Sequence, residues 1–183
     1  MKTLKNLLLV FMLGLIPIQG LCMDYISPLM QASIEGNLEE VKSLIRNGTD
    51  VNEKDEDGVT ALMGASNWER LEVVKFLVEN GADINAKDKY GDTALMGASG
   101  EGNLEVVKFL VQKGANINVK SKYGFTALMR AAKWGHLEVV EFLVQKGANI
   151  NVKNEDGNTA LMEALGEGNL EVAQYLKSKG AKE

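Results

Sequence analysis

Cysteine, histidine and proline are scarce in this chain of 183 residues, which contains one cysteine, one histidine and two prolines. A lone cysteine cannot form an intramolecular disulfide or a cysteine-based zinc site. A lone histidine excludes sites with several histidine ligands and leaves one candidate for a histidine-dependent triad. Positive charge is also in deficit, and the formal net charge of −5 argues against bulk electrostatic binding to nucleic acid or anionic lipid. We therefore expect no metal site, no cofactor and no nucleic-acid partner.

The first twenty residues differ in character from the rest. Lys2 and Lys5 precede an uninterrupted apolar run over residues 7–18, and the small residue Gly20 follows. A basic start, a short apolar middle and a small residue at the cut are typical of a secretory signal peptide, whereas a membrane-spanning helix needs about 20 apolar residues. We predict a signal peptide over residues 1–20. Its removal takes away Lys2 and Lys5 and changes the net charge from −5 to −7.

The processing site has three interpretations. Cleavage after Gly20 is favoured. Cleavage after Cys22 is an alternative, because it places the small residue Gly20 at the −3 position relative to the cut. Lipidation of Cys22 is the third, although Leu21 stands where lipoprotein signals usually have Gly, Ala or Ser. We expect export to the periplasm or cell envelope, with an extracellular location as the alternative. No membrane contact is expected after signal removal unless Cys22 is lipidated.

A 33-residue period runs through the remainder of the chain. Thr-Ala-Leu-Met begins at residues 60, 93, 126 and 159, and Ser-Pro-Leu-Met begins at residue 27. A second block, Leu-Glu-Val-Val, begins at residues 71, 104 and 137, and the second segment of each unit closes with a glycine, at residues 48, 81, 114, 147 and 180. Self-similarity at a fixed period indicates a repeat architecture. We predict a domain over residues 21–183 with five units, numbered one to five, at about residues 25–57, 58–90, 91–123, 124–156 and 157–183.

Each unit is predicted to form two short helices followed by a polar tip. The Thr or Ser that begins the first block is a good N-cap, and the segment that starts with the second block has apolar residues at helical spacing. We expect the residue just before the second helix to cap it, namely Asn37, Asn103, His136 and Asn169. In unit two, Glu69-Arg70 replaces the usual Gly-Asn, and we expect a distorted turn there. Helix pairs this short must stack to bury their apolar faces, which predicts a solenoid.

These motifs resemble ankyrin repeats over residues 25–183. The resemblance implies an all-α solenoid of stacked helix-turn-helix units with β-turn or hairpin-like loop tips. It also implies a non-catalytic scaffold that binds another protein through the tips and the concave face of the first helices. The chain departs from the family pattern at one position in every unit, because methionine replaces the family histidine. Methionine can only pack, so we expect the stack to depend more on apolar contact.

Aromatic and basic residues in units two to four are the candidate binding residues. Core packing does not account for them, and exposed aromatic residues are enriched in binding hot spots. We expect a locally basic, aromatic surface, called here the predicted patch, formed by Trp68, Lys89, Tyr90, Lys122, Tyr123, Phe125, Arg130, Lys133 and Trp134. The alternative is that Tyr90 and Tyr123 only stack on each other and that both tryptophans cover the apolar rim.

The favoured function is a monomeric, exported scaffold for protein–protein interaction, and not an enzyme. Its partner would be another protein of unknown identity, in an adaptor role in the periplasm or envelope. The alternatives are a secreted, effector-like factor that engages host proteins, a self-associating envelope protein and, remotely, an enzyme. No catalytic residue is predicted, because His136 lies in phase with the asparagines that precede the second helices.

Overall fold

The computed structural model describes residues 26–182, so the predicted signal peptide and Cys22 lie outside the described residues. Within that range the secondary structure is all-helical, and a single antiparallel bridge between Lys54 and Thr60 is the only β pairing. The ten helices of this range form five consecutive pairs, as predicted. They are α1 (Pro28–Glu35), α2 (Leu38–Arg46), α3 (Ala61–Asn67), α4 (Leu71–Glu79), α5 (Ala94–Glu101), α6 (Leu104–Gln112), α7 (Ala127–Lys133), α8 (Leu137–Gln145), α9 (Ala160–Gly166) and α10 (Leu170–Ser178).

The first helix of every unit begins at the predicted N-cap. The cap residue is extended, and its side-chain oxygen accepts the backbone N–H three residues later, which pairs one of the free N–H groups at a helix start. The caps are Ser27, Thr60, Thr93, Thr126 and Thr159. In unit one, Pro28 also occupies the first helical position, where the missing N–H is not needed.

The helices stack in two layers. Each first helix packs against the first helices of the adjacent units and against its own second helix. The core between the layers is formed by leucine and alanine of the first helices and by valine and leucine of the second helices, as in Leu95, Ala98, Val107 and Leu110. The methionines at the family histidine position are buried in units one to four, and Met162 of unit five is half-buried.

The turn between the two helices of unit two has the same backbone geometry as the equivalent turns of the other units, so the expectation of a distorted turn was wrong. Glu69 has φ 58°, close to the 77–80° of Gly36, Gly102, Gly135 and Gly168 at the same position. The left-handed conformation is unfavourable for a residue with a side chain. The stacked neighbours fix the path of the chain, and Glu69 adopts the conformation that this path requires.

In units two to five the residue before the second helix contacts the preceding unit, which corrects the capping prediction for Asn103, His136 and Asn169. The Asn37 side chain accepts the Glu40 N–H at 3.3 Å as expected. Arg70, Asn103, His136 and Asn169 make no side-chain cap. Their side-chain nitrogens lie 2.7–3.2 Å from carbonyl oxygens near the end of the preceding first helix. Those carbonyls lack helical partners, and the stacked unit supplies the donors.

Asparagines after the second helices form a further ladder between units. The side-chain amides of Asn52, Asn85 and Asn118 donate to a glycine carbonyl of the next unit at 3.0–3.4 Å. Their side-chain oxygens accept a backbone N–H that also belongs to the next unit, at 2.7–2.9 Å. Apolar packing therefore does not act alone between the units, and the expectation that methionine makes the stack depend more on apolar contact stays a prediction.

Candidate functional site

A groove of about 290 Å³ lies on the first-helix side of units two to four and is called here the central groove. Helix α3 contributes Met63 and Asn67, α5 contributes Met96, and α7 contributes Trp134. The tip that precedes α5 adds polar side chains at one end. The groove therefore combines two methionines, one tryptophan and several charged side chains.

The groove is hollow because helix α5 carries glycine at two positions where the next first helix, α7, carries long side chains. Gly97 and Gly100 line it, while the equivalent residues of unit four are Arg130 and Lys133. A Cβ atom at Gly97 would come within 1.8 Å of the Asn67 side-chain oxygen. Glycine at residue 97 therefore allows the Asn67 amide to lie across α5.

Asp92 and Arg130 form an ion pair at the edge of the groove. The Arg130 Nη2 atom lies 2.7 Å from Asp92 Oδ2, and the guanidinium lies 5.3 Å from the centre of the Phe125 ring. Burial raises the pKa of the Asp92 carboxyl, and the charge of Arg130 opposes that shift. Asp92 Oδ1 and Arg130 Nε are buried without a hydrogen-bond partner within residues 26–182. The ion pair and the ring contact fix the position of the Arg130 side chain beside Phe125.

The loop tips form a backbone ladder that orders their aromatic side chains. The Lys122 N–H donates to the Tyr90 carbonyl at 2.7 Å, and the Glu155 N–H donates to the Tyr123 carbonyl at 3.1 Å. The rings of Tyr90 and Tyr123 stack with centroids 6.3 Å apart and planes at 29°. The predicted alternative of mutual stacking is thus present in the fold. Even so, 43% of Tyr90 and 54% of Tyr123 stays exposed.

The predicted patch divides between the groove and the tips. Arg130 and Trp134 line the central groove. In contrast, Lys89 and Tyr90 lie at the tip of unit two, and Lys122 and Tyr123 lie at the tip of unit three. Trp134 is 48% exposed and Trp68, at the end of α3, is 37% exposed.

Phe125 is the least accessible aromatic of the predicted patch. It packs half-buried against the core. Arg130 and Lys133 lie over its ring, with the Lys133 ammonium 5.8 Å from the ring centre. Phe125 therefore supports the two basic side chains from below rather than presenting its face to a partner.

The positive charge expected of the predicted patch is largely neutralised. Lys89 pairs with Asp57, and this hydrogen bond raises the pKa of the Lys89 ammonium. Lys133 lies 3.6 Å from a Glu163 carboxylate oxygen, and Arg130 pairs with Asp92. Three carboxylates and one guanidinium line the central groove, those of Asp88, Asp92, Glu101 and Arg130. The local sign in the groove is therefore acidic, which the sequence interpretation missed.

Several groove residues were absent from the sequence prediction, namely Asp92, Gly97, Gly100 and Glu101. A signal for them existed in the repeats. Residue 97 is in phase with Gln31, Gly64, Arg130 and Glu163, so this position changes in nearly every unit while its neighbours stay constant. Positions that vary within an otherwise constant unit point to the surface that the fold leaves free.

The structure assigns His136 to the stack. Its Nε2 atom lies 2.9 Å from the Gly100 carbonyl oxygen, and since a carbonyl only accepts, Nε2 is the donor. Over residues 26–182 no group of three or more His, Cys, Asp and Glu side chains is arranged to hold a metal ion. None of the helices in the same range is both long enough and apolar enough to cross a bilayer.

Comparison with known protein families identifies the repeat. A family model of ankyrin repeats in three copies matches residues 6–88, 29–121 and 95–183. Together these segments span most of the chain, and they include every helix described above. No curated protein matches the chain.

Proposed function

Since the chain belongs to the ankyrin-repeat family, we propose that it is a non-catalytic scaffold that binds a partner protein through the central groove and the tips of units two to four. Ankyrin repeats generally mediate protein–protein interaction. The observation that carries the proposal is the exposure of Trp134 beside a hollow that glycines keep open. Tryptophan and tyrosine are the residues most enriched in binding hot spots.

The order of these side chains before binding supports the same function. Tyr90 and Tyr123 are stacked on each other, and Arg130 is held by Asp92. A side chain that is fixed before association loses little entropy on binding, and such losses cost about 0.5–1.5 kcal/mol for each immobilised side chain. The surface of units two to four is therefore prepared for a partner.

The proposal is tested by capture of a partner from the source cell with the full chain. The variant Tyr90→Ala/Tyr123→Ala/Trp134→Ala removes the exposed aromatics but leaves half-buried Phe125 in place. We expect it to lose the captured protein while its thermal unfolding stays close to that of the parent. The matched control is Leu165→Ala/Leu170→Ala, which removes exposed apolar side chains of unit five. Equal capture by the triple variant and the parent would refute the proposal.

Export is a separate part of the proposal and rests on residues 1–20 alone. The chain would act as an adaptor in the periplasm or cell envelope, or outside the cell if it is released. Cell fractionation and the intact mass of the recovered protein test this. A mass that begins at Leu21 supports cleavage after Gly20, and one that begins at Met23 supports cleavage after Cys22. Full-length protein confined to the cytoplasm would refute export. Light scattering of the same sample tests the expected monomer.

A further inference from the structure

The central groove holds negative charge that the fold leaves unpaired. Among residues 26–182 the cation that lines the groove is Arg130, and it is already engaged by Asp92. Within residues 26–182, Asp88 and Glu101 form no ion pair. Asp88 Oδ1 already accepts the backbone N–H groups of Tyr90 and Asp92 at 2.8 Å. Glu101 is therefore the carboxylate that can bind a ligand directly, and the charge of Asp88 adds attraction for a positively charged group.

Glu101 differs in this respect from the glutamates at the same position of other units. Glu35 accepts a hydrogen bond from Gln31, and Glu167 lies 3.8 Å from the Lys133 ammonium. Among the residues described, Glu101 has no side-chain partner. It is exposed at the end of α5, beside the glycines that keep the groove open.

Trp134 provides an aromatic face in the same groove. A Cβ atom placed on Gly100 would lie 3.8 Å from the Trp134 ring, so the indole lies close against the bare backbone of α5. Tryptophan is the best aromatic partner for a cation. A guanidinium in particular stacks flat on an aromatic face while its edge donates two hydrogen bonds to a carboxylate.

We propose that the central groove binds an arginine side chain of the partner protein. The guanidinium stacks on the Trp134 indole and donates to the Glu101 carboxylate, and Asp88 adds to the attraction. Asp92 neutralises Arg130, so that the resident guanidinium does not repel the incoming one. This inference rests on the proposed function, since it names the chemistry that the same surface recognises.

The experiment uses the two tryptophans of the chain as reporters. Each contributes one indole N–H resonance to a ¹H–¹⁵N spectrum, and the variant Trp68→Phe assigns them. The full chain is titrated with the capped peptide acetyl-Gly-Arg-Gly-amide, and in parallel with acetyl-Gly-Gln-Gly-amide at matched ionic strength. We expect a saturable shift of the Trp134 resonance with the arginine peptide and none with the glutamine peptide.

Two variants identify the carboxylate. Glu101→Gln should weaken binding of the arginine peptide by about fivefold or more, since it removes a charge-assisted hydrogen bond. Glu155→Gln changes an exposed glutamate outside the groove and should leave the affinity unchanged. Absence of a Trp134 shift, an equal shift with the glutamine peptide, or unchanged affinity of Glu101→Gln would each overturn the inference.

The two proposals fail in different ways. If the aromatic triple variant loses its partner but the arginine peptide gives no selective shift, the scaffold function stands and the arginine inference is wrong. If the triple variant retains its partner, the proposed function is wrong whatever the peptide does. An arginine-specific shift together with loss of partner capture supports both.

Discussion

Glu69 is the residue at which sequence and backbone geometry conflict most clearly. It holds φ 58°, while the equivalent residue of every other unit is glycine with φ 77–80°. Its side chain is exposed and makes no hydrogen bond or ion pair with any residue of 26–182. Glu69→Gly should therefore stabilise the protein by releasing backbone strain.

The size of the effect follows from two opposing terms. The left-handed conformation costs a residue with a side chain about 1–2 kcal/mol. Part of this gain is lost, because glycine gives the unfolded chain more conformational freedom. That freedom lowers the free energy of unfolding by about 0.4–1 kcal/mol. The expected net stabilisation is about 0.5–1 kcal/mol, which for a chain of this size is a rise in melting temperature of about 1–4 °C.

The reverse substitution is the matched control. Gly168 has φ 77°, and a Cβ atom there would meet nothing within 4 Å. Gly168→Glu therefore adds the same strain without a clash and should destabilise by a similar amount. Both variants are compared with the parent by urea unfolding at constant slope. A lower midpoint for Glu69→Gly, or a higher one for Gly168→Glu, would refute the strain argument.

Three further predictions concern the stack and the groove. Asn118→Ala removes both side-chain bonds of that residue to its neighbours and should lower the free energy of unfolding by about 1–3 kcal/mol, measured by urea unfolding; an unchanged midpoint would contradict a structural role for the ladder. Met129→Ala empties a site that is 1% exposed and should cost about 2–5 kcal/mol in the same assay, and more than Met162→Ala at the half-buried equivalent. Burial raises the folded-state pKa of Asp92 above its unfolded value of 3.8. As the pH falls from the raised pKa toward 3.8, the folded parent binds this proton before the unfolded chain does. The free energy of unfolding of the parent therefore increases over this interval. Asp92→Asn lacks that gain, and its stability relative to the parent should decline over this interval in denaturant titrations at stepped pH; a relative stability that rises instead would contradict the sign of the shift.

The helix pairs and their starts could be predicted because their causes are local. A hydroxyl residue three positions before a free backbone N–H caps a helix wherever it occurs, and the apolar spacing of each block requires a buried face. The same local reasoning failed at Asn103, His136 and Asn169. Their bonding partners lie 36 or 37 residues away in the preceding unit, and a pattern confined to one unit cannot show them.

The candidate site was predictable only in part, and for the same reason. The surplus of Tyr90, Tyr123 and Trp134 over what a core needs is visible in the repeats, and these side chains are exposed in the fold. From the sequence, the neighbouring lysines and arginine were interpreted one at a time as a basic surface. In the fold, three of these cations form ion pairs with carboxylates. Ion pairing depends on which tips and helices become adjacent, so the sign of the surface required the stacked units.

The sequence by itself determined the repeat, the helix pairs, the family resemblance and the residues that the core does not use. Each of these follows from propensity, capping and apolar periodicity within 33 residues. Only the tertiary structure decided that Glu69 adopts a glycine conformation, that asparagines join the units, and that Gly97 and Gly100 open an acidic groove in front of Trp134. Those features arise because stacking sets the distances between side chains of different units, and no single unit contains those distances.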